Sequence, residues 1–182
     1  MFVRTPRLTL RPGWPEDAAA ITQAIAHEEV AFKLARLPWP YEERHAAEWL
    51  AREPATRGDV TLMILAHEGP VPRLVGGVGI HPDDHGHELG YWLTPSAWGR
   101  GYATEAARAM LGVARYAMGL KRLNSGHFID NPASGRVLTK LGFRRVAVSP
   151  RHCLSLGVDK PCAVMTLDLA EEDPRTATLM AA

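Results

Sequence analysis

The chain has 182 residues, 46% of them hydrophobic, which fits one compact domain and leaves no room for a second full domain. Its 21 basic and 20 acidic residues are scattered and give a formal net charge of +1, which argues against nucleic acid as a partner. Its two cysteines are too few for a disulfide framework and lack the spacing of a zinc site. We expect no leader and see no apolar run of about 20 residues, so we expect a soluble cytoplasmic protein.

The beginning of the chain predicts a strand followed by helices. Polar and apolar residues alternate over residues 7–11, as in a half-buried strand. Pro15 followed by two acids predicts a helix start, with the helix running to about His27. Residues 30–53 carry Trp39, Tyr41 and Trp49 together with two prolines, which predicts two short helical pieces joined by a proline-rich turn. This segment could form one wall of a substrate pocket or simply pack.

The middle of the chain predicts a sheet and one long helix. Residues 61–66 and 74–80 are apolar runs around a Gly-Pro turn and predict an antiparallel hairpin. A third strand is predicted over residues 87–93, after a turn at residues 82–86. Apolar residues recur at three- and four-residue spacing from 101 to 117, which predicts the clearest amphipathic helix of the chain.

The last third predicts a strand over residues 122–129 and then a helix. Asn131 and Pro132 supply an N-cap and a first-turn proline, and Gly142 supplies the left-handed cap that ends this helix. A final strand is predicted over residues 163–169. Residues 171–182 show no periodicity, so we expect a single domain over residues 1–170 and a flexible tail.

The most informative segment is ELGYWLTPSAWGRGYATE, residues 88–105, in which a strand leads through a glycine loop into the long helix. Backbone N–H groups at a helix N-terminus lack intrahelical partners, and the helix dipole adds positive charge there. Gly99 and Gly101 allow close approach of a ligand to the backbone, and Arg100 adds charge. The pattern indicates a phosphate site, although a plain strand-to-helix turn also uses glycine for its geometry.

This segment resembles the GNAT acetyltransferase superfamily. WGRGYA, residues 98–103, matches the family's pyrophosphate loop, Arg/Gln-x-x-Gly-x-Gly/Ala, at its last two fixed positions, and Trp98 departs from the first. GYWL at 90–93 followed by WGRGYATEA at 98–106 is similar to the RimJ/RimL-like branch. The opening TPRLTLRP at 5–12 and the stretch from NPAS to KLGF at 131–143 resemble the same branch.

The resemblance implies an α/β (α+β) GNAT fold, in which a mostly antiparallel sheet is flanked by helices and splayed strands form a V-shaped cleft for acetyl-coenzyme A. In the family, the strand at the cleft pairs its backbone with the pantetheine arm, and the loop amides hold the pyrophosphate. Asn131 matches a coenzyme-contacting asparagine, and it suits a helix N-cap equally well. The implied coenzyme-binding residues, besides Asn131, are Trp92, Leu93, Thr94, Gly99, Arg100, Gly101, Tyr102, Ala103 and Thr104.

The resemblance also implies two catalytic residues. Glu88 is similar to a glutamate proposed as general base, acting directly or through water, and its alternative is an exposed strand carboxylate. Ser134 matches a serine proposed as general acid toward the coenzyme A sulfur, and it could also be an ordinary helix-start residue. Many GNAT enzymes use a tyrosine as the acid, but residues 126–128 are Gly-His-Phe, which favours Ser134 or no acid.

Several functions stay open on the sequence alone. The implied reaction is acetyl transfer to a primary amine, of a protein N-terminus or of a small molecule, with a non-catalytic acyl-coenzyme A binding module as a further alternative. A homodimer is compatible with the resemblance, and no membrane partner is expected. His81, His85 and His87 could bind a metal or lie in a solvated hairpin, and we expect no metal. A further hypothesis takes the aromatic and basic residues at 98–102 as a surface that stacks nucleic-acid bases, and the balanced charge of the chain argues against it.

Overall fold

The computed structural model describes residues 1–52 and 58–170. The predictions for residue 53, at the end of the proline-rich segment, and for residues 171–182 lie outside the described residues. Among the residues described, no helix is both long and apolar enough to cross a membrane.

One sheet of eight strands organises the described chain. The strands are β1 (Val3–Arg4), β2 (Leu8–Arg11), β3 (Val60–Ala66), β4 (Arg73–Asp83), β5 (Gly86–Leu93), β6 (Arg122–Phe128), β7 (Arg144–Cys153) and β8 (Val158–Asp168). Their order in the sheet is β1-β2-β3-β4-β5-β6-β8-β7, and neighbouring strands are antiparallel except β5 and β6, which are parallel. This confirms the mixed, mostly antiparallel sheet that the resemblance implies.

Helices lie on both faces of the sheet. They are α1 (Ala18–Ile25), α2 (Glu28–Ala31), α3 (Glu43–Leu50), α4 (Tyr102–Gly112) and α5 (Pro132–Lys140). A short 3-10 turn, Pro15–Asp17, leads into α1, and the two predicted helical pieces of the proline-rich segment correspond to α2 and α3. The long predicted helix is α4, which continues as the π-helical turn Val113–Ala117.

Two apolar layers fix which helices cover which face. Ile21 of α1 and Ala46 of α3 pack with Met63 on one face, which we call the α1 face. Met110 of α4 and Leu138 of α5 pack with strand residues on the opposite face, the α4 face. Two of the four buried residues of α4 are alanines, which let this helix lie close to the sheet, and its N-terminus follows the end of β5 through a short loop.

The strands β5 and β6 pair at only two positions, Glu88 with Asn124 and Leu89 with Ser125. The buried Ser125 hydroxyl donates a hydrogen bond of 2.8 Å to the Leu89 carbonyl at the last of them. Beyond this point the two strands have no paired residues, and a gap opens between them. The gap begins at Gly90, so the remaining residues of β5 border it.

The structure differs from the predicted elements in the hairpins. Strand β4 continues through Asp83 and β5 begins at Gly86, so the predicted turn at residues 82–86 shrinks to Asp84 and His85. Strand β7 was not predicted, because it is an edge strand with most residues exposed and therefore lacks an apolar alternation. Its partner β8 begins five residues before the predicted strand start at 163.

Candidate active site

The loop between β5 and α4 has the geometry of an anion site. Gly99 and Gly101 adopt φ values of 74° and 80°, in the left-handed region that favours glycine. Gly101 is the N-cap of α4, and no side chain caps this helix. The first-turn amides, which include those of the predicted residues Tyr102, Ala103 and Thr104, therefore have no side-chain cap as a competitor for a phosphate oxygen. A Cβ built on Gly99 would meet no atom within 4 Å, so the loop is open.

Residues near the N-terminus hold this loop from behind. The Arg7 guanidinium donates to the Arg100 carbonyl at 2.9 Å and to the Glu105 carboxylate at 2.7 Å, and it stacks 4.9 Å from the Tyr102 ring centre. The Thr5 hydroxyl donates to the other Glu105 oxygen at 2.6 Å. Burial raises the pKa of Glu105, but these hydrogen bonds outweigh it and the net pKa is lowered. The carboxylate of the first helical turn is thereby directed toward Arg7.

The charge of Arg100 is paired in this structure. Its guanidinium contacts the carboxylate of Glu68, in the β3–β4 hairpin, which also accepts from the Tyr102 hydroxyl at 2.6 Å and from Arg73 at 3.2 Å. The hydrogen bond from Tyr102, with those from Arg73 and Arg100, lowers the pKa of Glu68 to about 2. Glu68 is therefore a fixed anion beside the loop, and the loop binds phosphate chiefly through its amides unless Arg100 leaves Glu68.

The backbone of β5 is used differently on its two sides. The Thr94 N–H donates to the Val75 carbonyl of β4 at 2.8 Å, and antiparallel strands alternate the direction of their hydrogen-bonding groups. By that alternation Trp92 also faces β4, whereas Tyr91 and Leu93 direct their backbone groups toward the gap. The Leu93 carbonyl accepts from the Trp98 indole at 2.9 Å. The gap-side backbone of β5 thus centres on Tyr91 and Leu93.

Two hydroxyls meet at the gap on the α4 face. Asn131 is the N-cap of α5 and accepts from the Ser134 amide at 3.3 Å, as the helix-cap interpretation predicts. The Ser134 Oγ lies 2.8 Å from the Tyr91 hydroxyl, which also donates to the Ser134 carbonyl at 3.1 Å. Burial raises the pKa of Tyr91 to about 12, so the phenol keeps its proton. Sequence reasoning missed Tyr91, although it lies within the GYWL stretch.

Glu88 lies on the opposite, α1 face. Its Oε1 accepts from Arg151 of β7 at 2.5 Å, and its side chain is 17% exposed. Burial works against the charge of Arg151, but its hydrogen bond and charge interaction with Glu88 raise its pKa overall. Sequence reasoning missed Arg151 because it missed β7. The carboxylate is thus a fixed, ion-paired group.

A cleft of about 950 Å³ opens around Glu88 and Arg151. It is lined by strand residues, by the β4–β5 turn and by Ala35 and Arg36, which follow α2. The floor includes Thr166, whose hydroxyl is buried and has no hydrogen-bond partner among the described residues. A ligand with a polar group could satisfy it.

The segment after α2 is joined to the β7–β8 hairpin beside the cleft. The Leu154 amide donates to the Ala35 carbonyl at 2.9 Å, and the Ser155 hydroxyl donates to the Ala31 carbonyl at 3.0 Å. The Lys160 ammonium donates to the Phe32 carbonyl at 2.8 Å. These bonds close one side of the cleft, so the proline-rich segment contributes to its wall.

The three histidines of the β4–β5 hairpin do not gather in one place. His81 pairs with Asp59 through Nδ1 at 2.7 Å, and His85 lies in the turn. His87 and Glu88 are consecutive residues of β5, so the His87 side chain points to the other face of the sheet. Across residues 1–52 and 58–170 no group of three or more His, Cys, Asp or Glu side chains is arranged to hold a metal ion.

Comparison with known proteins agrees with this geometry. The sequence profile of the acetyltransferase (GNAT) domain matches residues 7–144. The chain is 26% identical over 174 residues to an uncharacterized N-acetyltransferase of Bacillus subtilis, YoaA, covering 86% of this chain and 90% of the relative.

Solved structures share the fold. A GNAT-family acetyltransferase from Bacillus anthracis superposes with a TM-score of 0.78 at 22% identity, covering 94% of this chain and all (100%) of the other. The ribosomal-protein-S5-alanine acetyltransferase of Vibrio fischeri superposes with a TM-score of 0.79 at 15% identity, covering 96% and 100%. An acetyltransferase from Agrobacterium tumefaciens has a TM-score of 0.70 at 27% identity, with coverage of 92% and 94%. With a family profile matched over most of its length, the chain belongs to the GNAT acetyltransferases, which use acetyl-coenzyme A.

Proposed function

We propose that this acetyltransferase moves the acetyl group of acetyl-coenzyme A onto the N-terminal amine of a protein and belongs to the RimJ/RimL-like branch. One observation carries the proposal. The phosphate loop and Ser134 lie on the α4 face, Glu88 and the cleft lie on the α1 face, and both sets border the gap that opens at Gly90. Coenzyme and acceptor can therefore approach one thioester from opposite faces of the sheet.

The loop and its surroundings are suited to the coenzyme. Amides of residues 99–104 would hold the pyrophosphate, and Arg100 would add charge after leaving Glu68. The gap-side backbone of β5, at Tyr91 and Leu93, would pair with the pantetheine arm. Asn131 both caps α5 and lies beside Ser134 at the gap, so its two roles are compatible.

The transfer needs three proton and charge roles. Glu88 would draw the incoming ammonium to the gap by its charge, and a base beside it would accept the proton, directly or through a water. The amine nitrogen then attacks the thioester carbon, the C–S bond breaks, and the thiolate takes a proton from the Ser134 hydroxyl. Tyr91, hydrogen-bonded to Ser134, would orient that hydroxyl, and the proton that the nitrogen loses as the amide forms would reach the Ser134 oxygen through water.

The cleft favours an extended acceptor. Its volume of about 950 Å³ exceeds what a single small amine fills, and the unpartnered Thr166 hydroxyl suits a peptide polar group. The ribosomal-protein acetyltransferase of Vibrio fischeri, which shares the fold, gives independent support to a protein acceptor. A small amine remains the second candidate, because hydrogen bonds between residues 31–35 and 154–160 close one side of the cleft.

Thermal melting with and without acetyl-coenzyme A, followed by thiol release over peptides and small amines, tests the proposal. We expect stabilisation by the coenzyme, with thiol release on peptides that carry a free N-terminus. Release on small amines alone would reject the protein acceptor. Stabilisation without release on any amine would indicate a binding module, and no stabilisation would overturn the coenzyme site. We also propose that residues 1–170 form one domain.

A further inference from the structure

A histidine oriented by a carboxylate lies beside the proposed acceptor site. Asp59, immediately before β3, and His81 of β4 lie side by side on adjacent segments of the sheet, with Asp59 Oδ1 and His81 Nδ1 2.7 Å apart. Both side chains are partly exposed, at 22% and 37%. The pair is accessible to a ligand and held by the strand register.

Strand register places this pair next to Glu88. His81 is directly opposite Glu88 in the β4–β5 ladder, so both side chains lie on the α1 face. The imidazole leans over the neighbouring Gly79, since a Cβ built on that glycine would be 2.8 Å from Nε2. The His81 Nε2 atom therefore points along the sheet, away from Asp59.

Gly79 is itself opposite Gly90, where the gap between β5 and β6 begins. A Cβ built on Gly90 would meet no atom within 4 Å, so open space lies above it. Nε2 of His81 lies over Gly79, on the strand next to this space, and Glu88 lies two residues before Gly90 on the same face. Two groups that can accept a proton thus lie on the α1 face beside the point at which the gap opens.

The chemistry of the pair suits proton acceptance at Nε2. When Nδ1 donates its proton to the Asp59 carboxylate, Nε2 carries the lone pair, and the carboxylate stabilises the imidazolium that forms. Glu88 differs from His81 because one of its oxygens is already bonded to Arg151. An anchored carboxylate is suited to hold an ammonium ion by its charge.

We propose that His81, oriented by Asp59, removes the proton from the acceptor amine, while Glu88 holds the ammonium in place; this rests on the amine transfer proposed above. An N–H proton of the ammonium passes to Nε2, and the free amine attacks the thioester carbon. The C–S bond breaks and the thiolate takes the Ser134 proton, and the second proton that the nitrogen loses as the amide forms returns through water to the Ser134 oxygen. His81 releases its proton to water, so atoms and charges balance.

The charged groups that face His81 come from neighbouring segments of the sheet. Asp59, which immediately precedes β3, and Glu88 of β5 face it, and Arg151 from β7 is paired with Glu88. Helix α1, which packs on β4, carries no titratable side chain between Ala18 and Ile25. Protonation of His81 should therefore be seen as an acidic limb in the pH profile of kcat/KM for the amine.

The test compares pH profiles of thiol release for wild type, His81→Gln, Asp59→Asn and the control His67→Asn, on whichever amine the wild type uses best. His67 immediately follows β3 and bonds to Thr9, away from the gap. We expect His81→Gln to lower kcat by roughly 10²-fold. In its pH profile of kcat/KM, the acidic limb due to His81 should disappear, so that only the ionisation of the amine remains. Asp59→Asn should fall between, and His67→Asn should match wild type.

Coenzyme-induced stabilisation separates chemistry from folding, since each variant should keep the wild-type shift in melting temperature. A His81→Gln enzyme whose kcat stays within about twofold of wild type and whose pH profile is unchanged would overturn the proposal. If His81→Gln does not fold, an unchanged profile for Asp59→Asn has the same force. A best substrate that is a small amine rejects the protein acceptor and leaves this test intact, whereas a wild type inactive on every amine would reject both.

Discussion

The hydroxyl of Tyr91 lies 2.8 Å from Ser134 Oγ, across the boundary between β5 and the first turn of α5. Both groups border the gap that starts at Gly90. Tyr91 is a tyrosine at the site, on a different strand from residues 126–128, where sequence reasoning looked for the acid. The relationship joins the two segments of the chain that border the gap on the α4 face.

Removing the Ser134 hydroxyl should slow the protonation of the leaving thiolate. We expect Ser134→Ala to lower kcat roughly 10²-fold, with a smaller loss for Tyr91→Phe, which keeps the ring and removes only the hydroxyl. Thr139→Ala, on the exposed side of the same helix, is the matched control. Steady-state thiol release measures these effects, and an unaltered kcat in Ser134→Ala would rule out an essential acid there.

Neutralising Glu88 should impair use of the amine without weakening the binding of the coenzyme. We expect Glu88→Gln to lower kcat/KM for the amine by about 10²-fold while the dissociation constant of acetyl-coenzyme A stays the same. Glu48→Gln, on the exposed side of α3, controls for the loss of one negative charge. Calorimetry measures the dissociation constant of the coenzyme, and initial rates give kcat/KM for the amine. An unchanged kcat/KM in Glu88→Gln would contradict the prediction.

Arg7 should matter for coenzyme affinity although it lies outside the loop. Arg7→Met removes its bonds to the Arg100 carbonyl and to Glu105, and because the Arg7 side chain is half exposed, each contributes about 0.2–1 kcal/mol. We expect acetyl-coenzyme A to bind roughly three- to tenfold more weakly. Arg7→Lys keeps the charge but lacks the planar fork, so it should also weaken binding.

If Arg7 acted only through its long-range charge, Arg7→Lys would restore full affinity. Arg44→Met removes an exposed, ion-paired arginine from α3 and should leave coenzyme affinity unchanged. Titration of all three variants with acetyl-coenzyme A separates the two explanations.

The Arg11–Asp17 pair should make stability depend on acid. Both side chains are largely buried, and the hydrogen bond from Arg11 is the largest cause that lowers the pKa of Asp17 in the folded protein. Since the folded pKa lies below the unfolded value of about 3.9, the stabilisation is complete above that value and is lost as pH falls through the folded pKa.

Replacing Asp17 tests this dependence directly. Asp17→Asn leaves Arg11 buried without its anion and should cost about 3 kcal/mol at neutral pH, with a shallower loss of stability in acid than wild type shows. Denaturant unfolding at neutral pH and near pH 3 measures both values. Equal acid sensitivity of the two proteins would contradict the assignment.

The parts of the site that local sequence encodes were predictable. Gly99 and Gly101 are required by positive φ at a helix start, and Asn131 with Pro132 defines the start of α5, so the loop and both helices follow from short patterns. The family resemblance supplied the mostly antiparallel sheet and the gap, which no short pattern specifies.

Contacts between distant segments could not be predicted in the same way. Arg7 with Glu105, Tyr91 with Ser134, Glu88 with Arg151 and Asp59 with His81 all depend on strand register and helix placement. Strand β7 escaped detection because an exposed edge strand with a proline lacks the apolar alternation that marks a half-buried one. Each missed partner completes a group that the sequence had already singled out.

The most direct test of the account uses two peptides of one sequence that contains a single lysine. One has a free N-terminus and a blocked lysine side chain, and the other has a blocked N-terminus and a free lysine. Incubation with acetyl-coenzyme A followed by fragment mass spectrometry locates the transferred acetyl group. The account predicts acetylation of the N-terminal nitrogen in the first peptide and little reaction of the second; acetylation of small amines with neither peptide modified would contradict it.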